Sequence, residues 1–421
     1  MRHIGTSAYG IRTPIIGRGD DLAAIVADSL KNMLESQKLE LEPSDIIGVT
    51  EAVVAKAQNN FAGIDDVAVD IRNKFGDNTV GVVFPIFSRN RFMNILKGIS
   101  LGAKKVCVLL QLPHDEFGNP IMDIDMMDDV EDELAGLLSA DEFRRVTGDY
   151  RHPFTGVNYI ELYEQVSDNI SVYLSSDPRD ILELTDHVLV CNVHTRERTK
   201  KRLTKAGAKK VYTLADILQK PIDGSGYNPE YGVLGSNLST GEELKLFPRD
   251  CDEFVVSLQS EIEARTGVRP EVMVYGDGAF KDPRAGIWEL ADPVVSPGHS
   301  ARLGGQPDEI KLKLAAGLLD KAGQKLSESP LLEGQVSSPQ ATNQIQHQLS
   351  GVAANASEME KQEALKALIR EKKTFAVGRE GTTPRIFADL LGSLCDLMSG
   401  SGDKGTPVVL IRGYFDDFAS E

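Results

Sequence analysis

The chain has 421 residues with 41% hydrophobic and 26% charged side chains, too many for one small core, so two or three packed units are expected. Its formal charge of -17 argues against a nucleic-acid-binding surface and against adhesion to an anionic membrane, although a few local Lys and Arg suffice for a nucleotide. Cys107, Cys191, Cys251 and Cys395 form no CxxC pair, no signal-peptide pattern opens the chain and no apolar run is long enough to span a bilayer; buried thiols in a cytoplasmic protein are expected.

Residues 20–37, DDLAAIVADSLKNMLESQ, have apolar side chains at helical spacing behind two acids. They predict a helix that Asp20 caps by accepting backbone N–H bonds. Just before it, the backbone of Thr13, Pro14, Ile15 and Ile16 offers donors and acceptors that can line a ligand pocket. DIIGVTEAVVAKAQ (45–58) starts as a buried strand and passes into a turn and helix. Lys56, behind that strand, either reaches a phosphate as a point charge or is simply solvated.

Next come a strand at 78–86, a helix at 89–103 and a strand at 104–112. Arg89 and Arg91 stand at that helix start, where anions bind well. The stretch 109–133 is rich in acids. Most of them read as a solvated helix start, and Asp115, first after the strand, is the best metal-ligand candidate. Residues 186–214 read as strand, basic helix, strand, with a parallel crossover as the default. Arg196 and Arg198 belong to a rare positive cluster there, which either binds phosphate or carboxylate groups or forms a solvated face.

Residues 221–250 are rich in Gly, Asn, Ser and Pro and read as a long loop or set of turns. A helix is expected at 250–266 and a strand at 271–280 that ends in Gly-Asp-Gly. Asp277 there is either part of a turn or a ligand for Mg²⁺ or Mn²⁺, hard cations that want carboxylate oxygens. Residues 322–355 have weak periodicity and read as a mobile linker. A charged helix (358–373), an amphipathic helix with Pro384 in its first turn (383–400) and a buried strand (406–414) follow. The Gly- and Ser-rich loop 399–405 has the composition of a turn.

This order of elements predicts an α+β (mixed α/β) fold. The main body is placed at 1–320 with a central insertion at about 113–270, the linker at 321–357, and 358–421 packing back on the body. No HExxH, CxxC or GxxxxGK[ST] motif occurs, so a nucleotide site of the P-loop type is excluded.

The segments GIRTPIIGRGDDLAAIVADSL and DIIGVTEAVVAKAQ together resemble the N-terminal signature of the coenzyme F-420-0:L-glutamate ligases. ADLLGSLCDLMSGSGDKGTPVVLIRGY resembles their C-terminal signature, a helix, a Gly-rich loop and a strand. The resemblance implies a two-domain ligase-like fold, with a large central insertion in this longer chain. It implies a homodimer that adds L-glutamate through a γ linkage to a carboxylated small molecule, whether a deazaflavin, a folate or another acceptor. GTP or ATP is the implied co-substrate, Mg²⁺ or Mn²⁺ the implied metal, and an acyl phosphate the implied intermediate.

Carried over by position, Thr13, Pro14, Ile15, Ile16, Glu51, Ala52 and Lys56 would touch the nucleotide. Gly400, Ser401, Gly402, Asp403 and Gly405 would lie at nucleotide and metal. Asp277-Gly278 stands where the family has an Asp-Thr metal pair, and the family's first metal acid maps to Asp115. Ser401 replaces the family's Gln or Glu metal ligand, or Asp403 takes its role. Ser401 or Asp403 is therefore expected near Asp277. The alternative is a non-catalytic nucleotide- or small-molecule-binding protein that keeps the fold, which the missing Thr and Gln favour.

Overall fold

The computed structural model describes residues 4–87, 92–152, 156–278, 280–281, 288–289, 292–306, 356–370, 386–399 and 405–417. Arg89, Arg91, Pro384, the linker 322–355 and Gly400–Asp403 lie outside the described residues.

In chain order the elements begin β1 (Ser7–Ile11), α1 (Leu22–Gln37), β2 (Ile46–Thr50), α2 (Glu51–Ala57), β3 (Phe61–Gly63), α3 (Ile64–Phe75), β4 (Thr79–Val83), α4 (Met93–Gly102) and β5 (Lys105–Gln111). They continue with α5 (Ile124–Asp128), β6 (Leu138–Ser139), α6 (Ala140–Thr147), α7 (Tyr159–Glu164), β7 (Ile170–Ser175), β8 (His187–Val190), α8 (Arg196–Lys205) and β9 (Lys210–Thr213). Last come β10 (Asn237–Leu238), β11 (Glu243–Lys245), α9 (Cys251–Thr266), β12 (Glu271–Tyr275), β13 (Phe280–Lys281), β14 (Trp288–Glu289), β15 (Gly298–His299), α10 (Glu358–Arg370), α11 (Phe387–Ser399) and β16 (Val408–Arg412). The α+β expectation holds.

A five-stranded sheet has the order β1-β16-β2-β12-β15. Its strands alternate strictly. Ile47, Val49, Val272, Val274, Val408 and Leu410 pack with α1 and α9 on one face. Ile46, Met273, Tyr275, Val409 and Ile411 pack with α11 on the other. Gly48 permits the second contact, since a Cβ there would stand 2.5 Å from Cys395 Sγ of α11. Helix α1 is capped by Asp21, whose carboxylate accepts from Ala24 N at 3.1 Å, and not by Asp20. The Asp20 carboxylate accepts from Gly17 N at 2.6 Å and ties the approach to the helix.

A six-stranded sheet has the order β6-β7-β5-β4-β8-β9. All neighbours in it are parallel except β6 with β7. The expected β8-α8-β9 crossover is one of its units. Apolar clusters cover both faces, as a mostly parallel sheet requires. This unit begins at β4, so the expected insertion boundary near 113 falls inside it, behind β5. Within 221–250, read as loop, β10 and β11 form a hairpin whose second strand pairs with β3. Backbone pairing with a strand 180 or more positions earlier leaves no local periodicity to read.

His152 packs edge-on against Phe87 and Tyr159, with ring centroids 6.5 and 5.5 Å away. Burial pushes its imidazole down to about 4. The unfolded ring titrates at about 6.5, so on acidification the unfolded chain takes up the proton first. The contribution to stability is complete above pH 6.5 and is lost as the pH falls through about 4. His152→Phe is expected to flatten this part of the acid limb, read as urea-unfolding free energies at pH 7 and pH 5.

Candidate functional site

Strands β1 and β2 both run antiparallel to β16, and β2 runs parallel to β12. Three strands therefore end, and β16 begins, on one rim of the five-stranded sheet. The register fixes this: Val408 pairs with Ile11 on one side and Val49 on the other, and Tyr275 pairs with Thr50. Strand ends of this kind are where open sheets place ligands. Thr13–Ile16 leave from β1, Glu51 and Ala52 from β2, Asp277 from β12, and Gly405 leads into β16. Thr50 N donates to Pro407 O at 3.0 Å. A cleft of about 510 Å³ between the end of β1 and α1 is walled by Arg12, Thr13, Pro14, Asp28 and Asn32. Ile15 is 95% exposed, unlike the buried Ile16 beside it. Lys56 sits in the last turn of α2, further from the rim.

The Gly-Asp-Gly turn after β12 is held by two acids that spacing alone does not mark. Asp292 accepts from Asp277 N at 2.7 Å, and Asp396 of α11 accepts from Gly278 N at 3.0 Å. The glycine at 278 is sterically required, whereas at 276 a side chain would displace the Asp292 carboxylate. A Cβ at 276 would stand 2.4 Å from Asp292 Oδ2, and one at 278 would stand 2.8 Å from Ser393 Cα. The missing threonine thus has a steric reason: α11 packs too close to admit a side chain at 278. Asp396 lies on α11, so the turn bearing Asp277 is fastened to that helix. Among the described residues no group of three His, Cys, Asp or Glu side chains is disposed to hold a metal ion.

Glu51 is buried at the rim and paired with Lys245 of β11, Nζ to the two carboxylate oxygens at 2.8 and 3.1 Å. Lys245 was hidden in a stretch read as loop. Beside this pair, Arg18 reaches Glu243 with Nη1 at 3.1 Å and Nη2 at 2.5 Å and stacks on Phe61 at 3.7 Å. Together they fasten the β3-β10-β11 sheet to the rim.

Asp115 and Arg196 belong elsewhere, at strand ends of the six-stranded sheet. The buried Asp115 carboxylate accepts from Phe87 N, Phe117 N, Asn119 N and Asn119 Nδ2 at 3.0–3.2 Å. It shapes the turn after β5, and Asp277 is on the other sheet. Burial raises its pKa, against the lowering effect of these donors. Arg196 opens α8, with Arg198 exposed behind it. The anion position at that helix start is filled by the chain itself. Glu116 accepts from His194 N at 3.1 Å, Thr195 N at 2.9 Å and Thr195 Oγ1 at 2.8 Å, and also from Val193 N.

Among the described residues no helix is long and apolar enough to cross a membrane. No curated protein matches the chain. Residues 10–413 match the family model described as F420-0:Gamma-glutamyl ligase, a span that runs from the end of β1 to just past β16 and so includes the strand ends that build the rim. The chain belongs to the F420-0:gamma-glutamyl ligase family.

Proposed function

We propose that this ligase uses GTP or ATP with Mg²⁺ or Mn²⁺ to join L-glutamate through a γ linkage to a carboxylated small molecule, by way of an acyl phosphate. The observation that carries this reading is the meeting on one rim of segments far apart in sequence, Thr13–Ile16, Glu51–Ala52, Asp277 and Gly405. We propose a cytoplasmic homodimer as the working form.

The donors at the Gly-Asp-Gly turn are carboxylate oxygens, which suit a hard cation. Such a cation commonly takes one or two carboxylates and completes its shell with phosphates and water, so a closed three-residue cluster is not needed. Asp277 would hold it, with Ser401 or Asp403 as the proposed second protein donor. The cation would neutralise the phosphate oxygens. Asp292 and Asp396 fix the turn and so aim Asp277. Extended backbone at Thr13–Ile16 would orient the nucleotide. The acceptor carboxylate attacks the γ-phosphorus and expels the nucleoside diphosphate, leaving an acyl phosphate; the glutamate amine then attacks the acyl carbon, and inorganic phosphate and a proton leave as the amide forms. Arg89 and Arg91 are proposed to bind phosphate or carboxylate.

A non-catalytic protein that keeps the fold is the alternative, favoured by the absent threonine and glutamine; the close packing of Ser393 on Gly278 gives the first of these a steric reason. The test is thermal unfolding with GTP or ATP, with and without Mn²⁺ or Mg²⁺. Nucleotide and metal together at about 100 times Kd are expected to add about 2.7 kcal/mol, and metal alone much less. Phosphate release should then require glutamate and an acceptor. No stabilisation by either nucleotide with either metal would sink the proposal.

A further inference from the structure

The two faces of β11 serve different sheets. Leu244 and, just past the strand, Leu246 are fully buried and join the apolar cluster of the six-stranded sheet, as Ala62 of β3 does. Glu243 and Lys245 alternate to the opposite face, because successive side chains of a strand point to opposite sides. Phe61, paired with Lys245 across the ladder, shares that face. The turn before β11 is tied to α4: Asn94 Nδ2 donates to Gly241 O at 3.2 Å, and Lys97 pairs with Glu242. The strand is thus anchored on the six-stranded unit and offers two opposite charges, at positions about 7 Å apart, to the rim of the other sheet.

Each charge holds one of the two segments proposed to touch the nucleotide. Lys245 takes Glu51 at the start of α2. Glu243 takes Arg18, in the loop that carries Thr13–Ile16. Arg18 is fixed twice over: its guanidinium is bidentate on the carboxylate and lies over the Phe61 ring at 3.7 Å. Among the described residues, no hydrogen bond to a distant part of the chain holds residues 12–15. Their course is set from the two ends. Ile11 pairs with Val408 before them; after them come the buried Ile16, Arg18 on Glu243, and Gly19 N, which donates to Ala57 O at 2.9 Å.

We propose that β11 sets the width of the nucleotide site, with Glu243 and Lys245 as positioning residues that hold the Thr13–Ile16 segment and the start of α2 at a fixed separation. This inference rests on the ligase reading of the rim. A nucleotide that enters meets two walls already spaced to receive it, so less ordering has to accompany binding. No atom of β11 needs to touch substrate. The benefit is equal in the ground state and the transition state, so it acts on nucleotide affinity and not on the chemical step.

The Arg18–Glu243 pair is the one to cut. Its side chains are 45% and 29% exposed, so removing either leaves no buried charge stranded, unlike Lys245. The test is calorimetric titration of the full chain with GTP and with ATP in the presence of Mn²⁺. Arg18→Ala and Glu243→Ala are each expected to weaken nucleotide binding about tenfold, the double variant no more than either alone, and Arg18→Lys, which keeps a charge for Glu243, about threefold. All should melt close to the wild-type temperature, and the Mn²⁺ concentration that gives half the effect, which reports Asp277, should not move. In the free protein, amide hydrogen exchange over residues 12–20 should speed up in both alanine variants. If the wild type binds neither nucleotide, the ligase reading fails and this inference with it. If the wild type binds and the alanine variants bind equally well, or lose affinity only in step with a lower melting temperature, β11 does not set the site and the reading of the rim stands. If binding weakens with no change in exchange, Arg18 touches the nucleotide itself and the positioning role is overturned.

Discussion

Lys245→Met is expected to destabilise the protein by about 3–5 kcal/mol, the usual cost of removing one partner from a buried ion pair. Glu51 is 5% exposed, and its two oxygens face Lys245 Nζ at 2.8 and 3.1 Å. Without the lysine, that carboxylate must stay charged in a poor solvent, bind a proton or pull the start of α2 apart. The backbone cannot easily give way, because Lys245 pairs with Phe61 and Leu244 with Ala62 across β11 and β3. Most of the loss is the penalty of the stranded charge, so the double variant Lys245→Met, Glu51→Gln should recover much of it. Urea unfolding of the four proteins in the cycle measures this. A loss below about 1 kcal/mol for Lys245→Met would mean that water screens the pair as it screens surface pairs. The distinction bears on function, because Glu51 stands on the rim where the nucleotide is proposed to bind.

That pair also shows where sequence reading stops. Helices and strands were legible because burial imposes a period: IIGVT at β2 and VVLIR at β16 read as buried strands without any partner in view. Which strands share a sheet was not legible. β16 inserts between β1 and β2 from the far end of the chain, fixed by backbone pairing and by the Arg412–Asp45 ion pair at 2.6 Å. Neither contact leaves a local signature. The same limit explains Asp115, whose place behind a strand fitted a metal ligand. That strand, β5, lies in the six-stranded sheet, so Asp115 and Asp277 stand at the ends of strands in different sheets. Asp21 took the cap from its neighbour Asp20 because a one-residue shift changes which carboxylate meets the free N–H groups. Spacing could not bring Thr13–Ile16, Glu51 and Asp277 to one rim, because they are joined only through tertiary pairing.

Asp277→Asn is expected to abolish the metal-dependent part of the nucleotide response and to lower activity by a hundredfold or more, about 3 kcal/mol at the transition state. The amide keeps the size of the carboxylate and loses the charge a hard cation requires. The fold should survive, because the turn is held by its backbone: Asp277 N on Asp292 and Gly278 N on Asp396 remain. Asp115→Asn is the matched comparison. Its side chain is buried in the other sheet, where four N–H groups already converge on it. Turning one acceptor oxygen into an NH₂ group sets donor against donor there, so this variant should lose stability and keep its metal dependence. The readouts are the Mn²⁺ titration of the nucleotide-induced melting shift and steady-state phosphate release. If Asp115→Asn, still folded, loses the metal response while Asp277→Asn keeps it, the metal belongs to the six-stranded sheet and the rim is not the catalytic site. If Asp277→Asn alone loses the response, the rim of the five-stranded sheet is where the phosphate chemistry takes place.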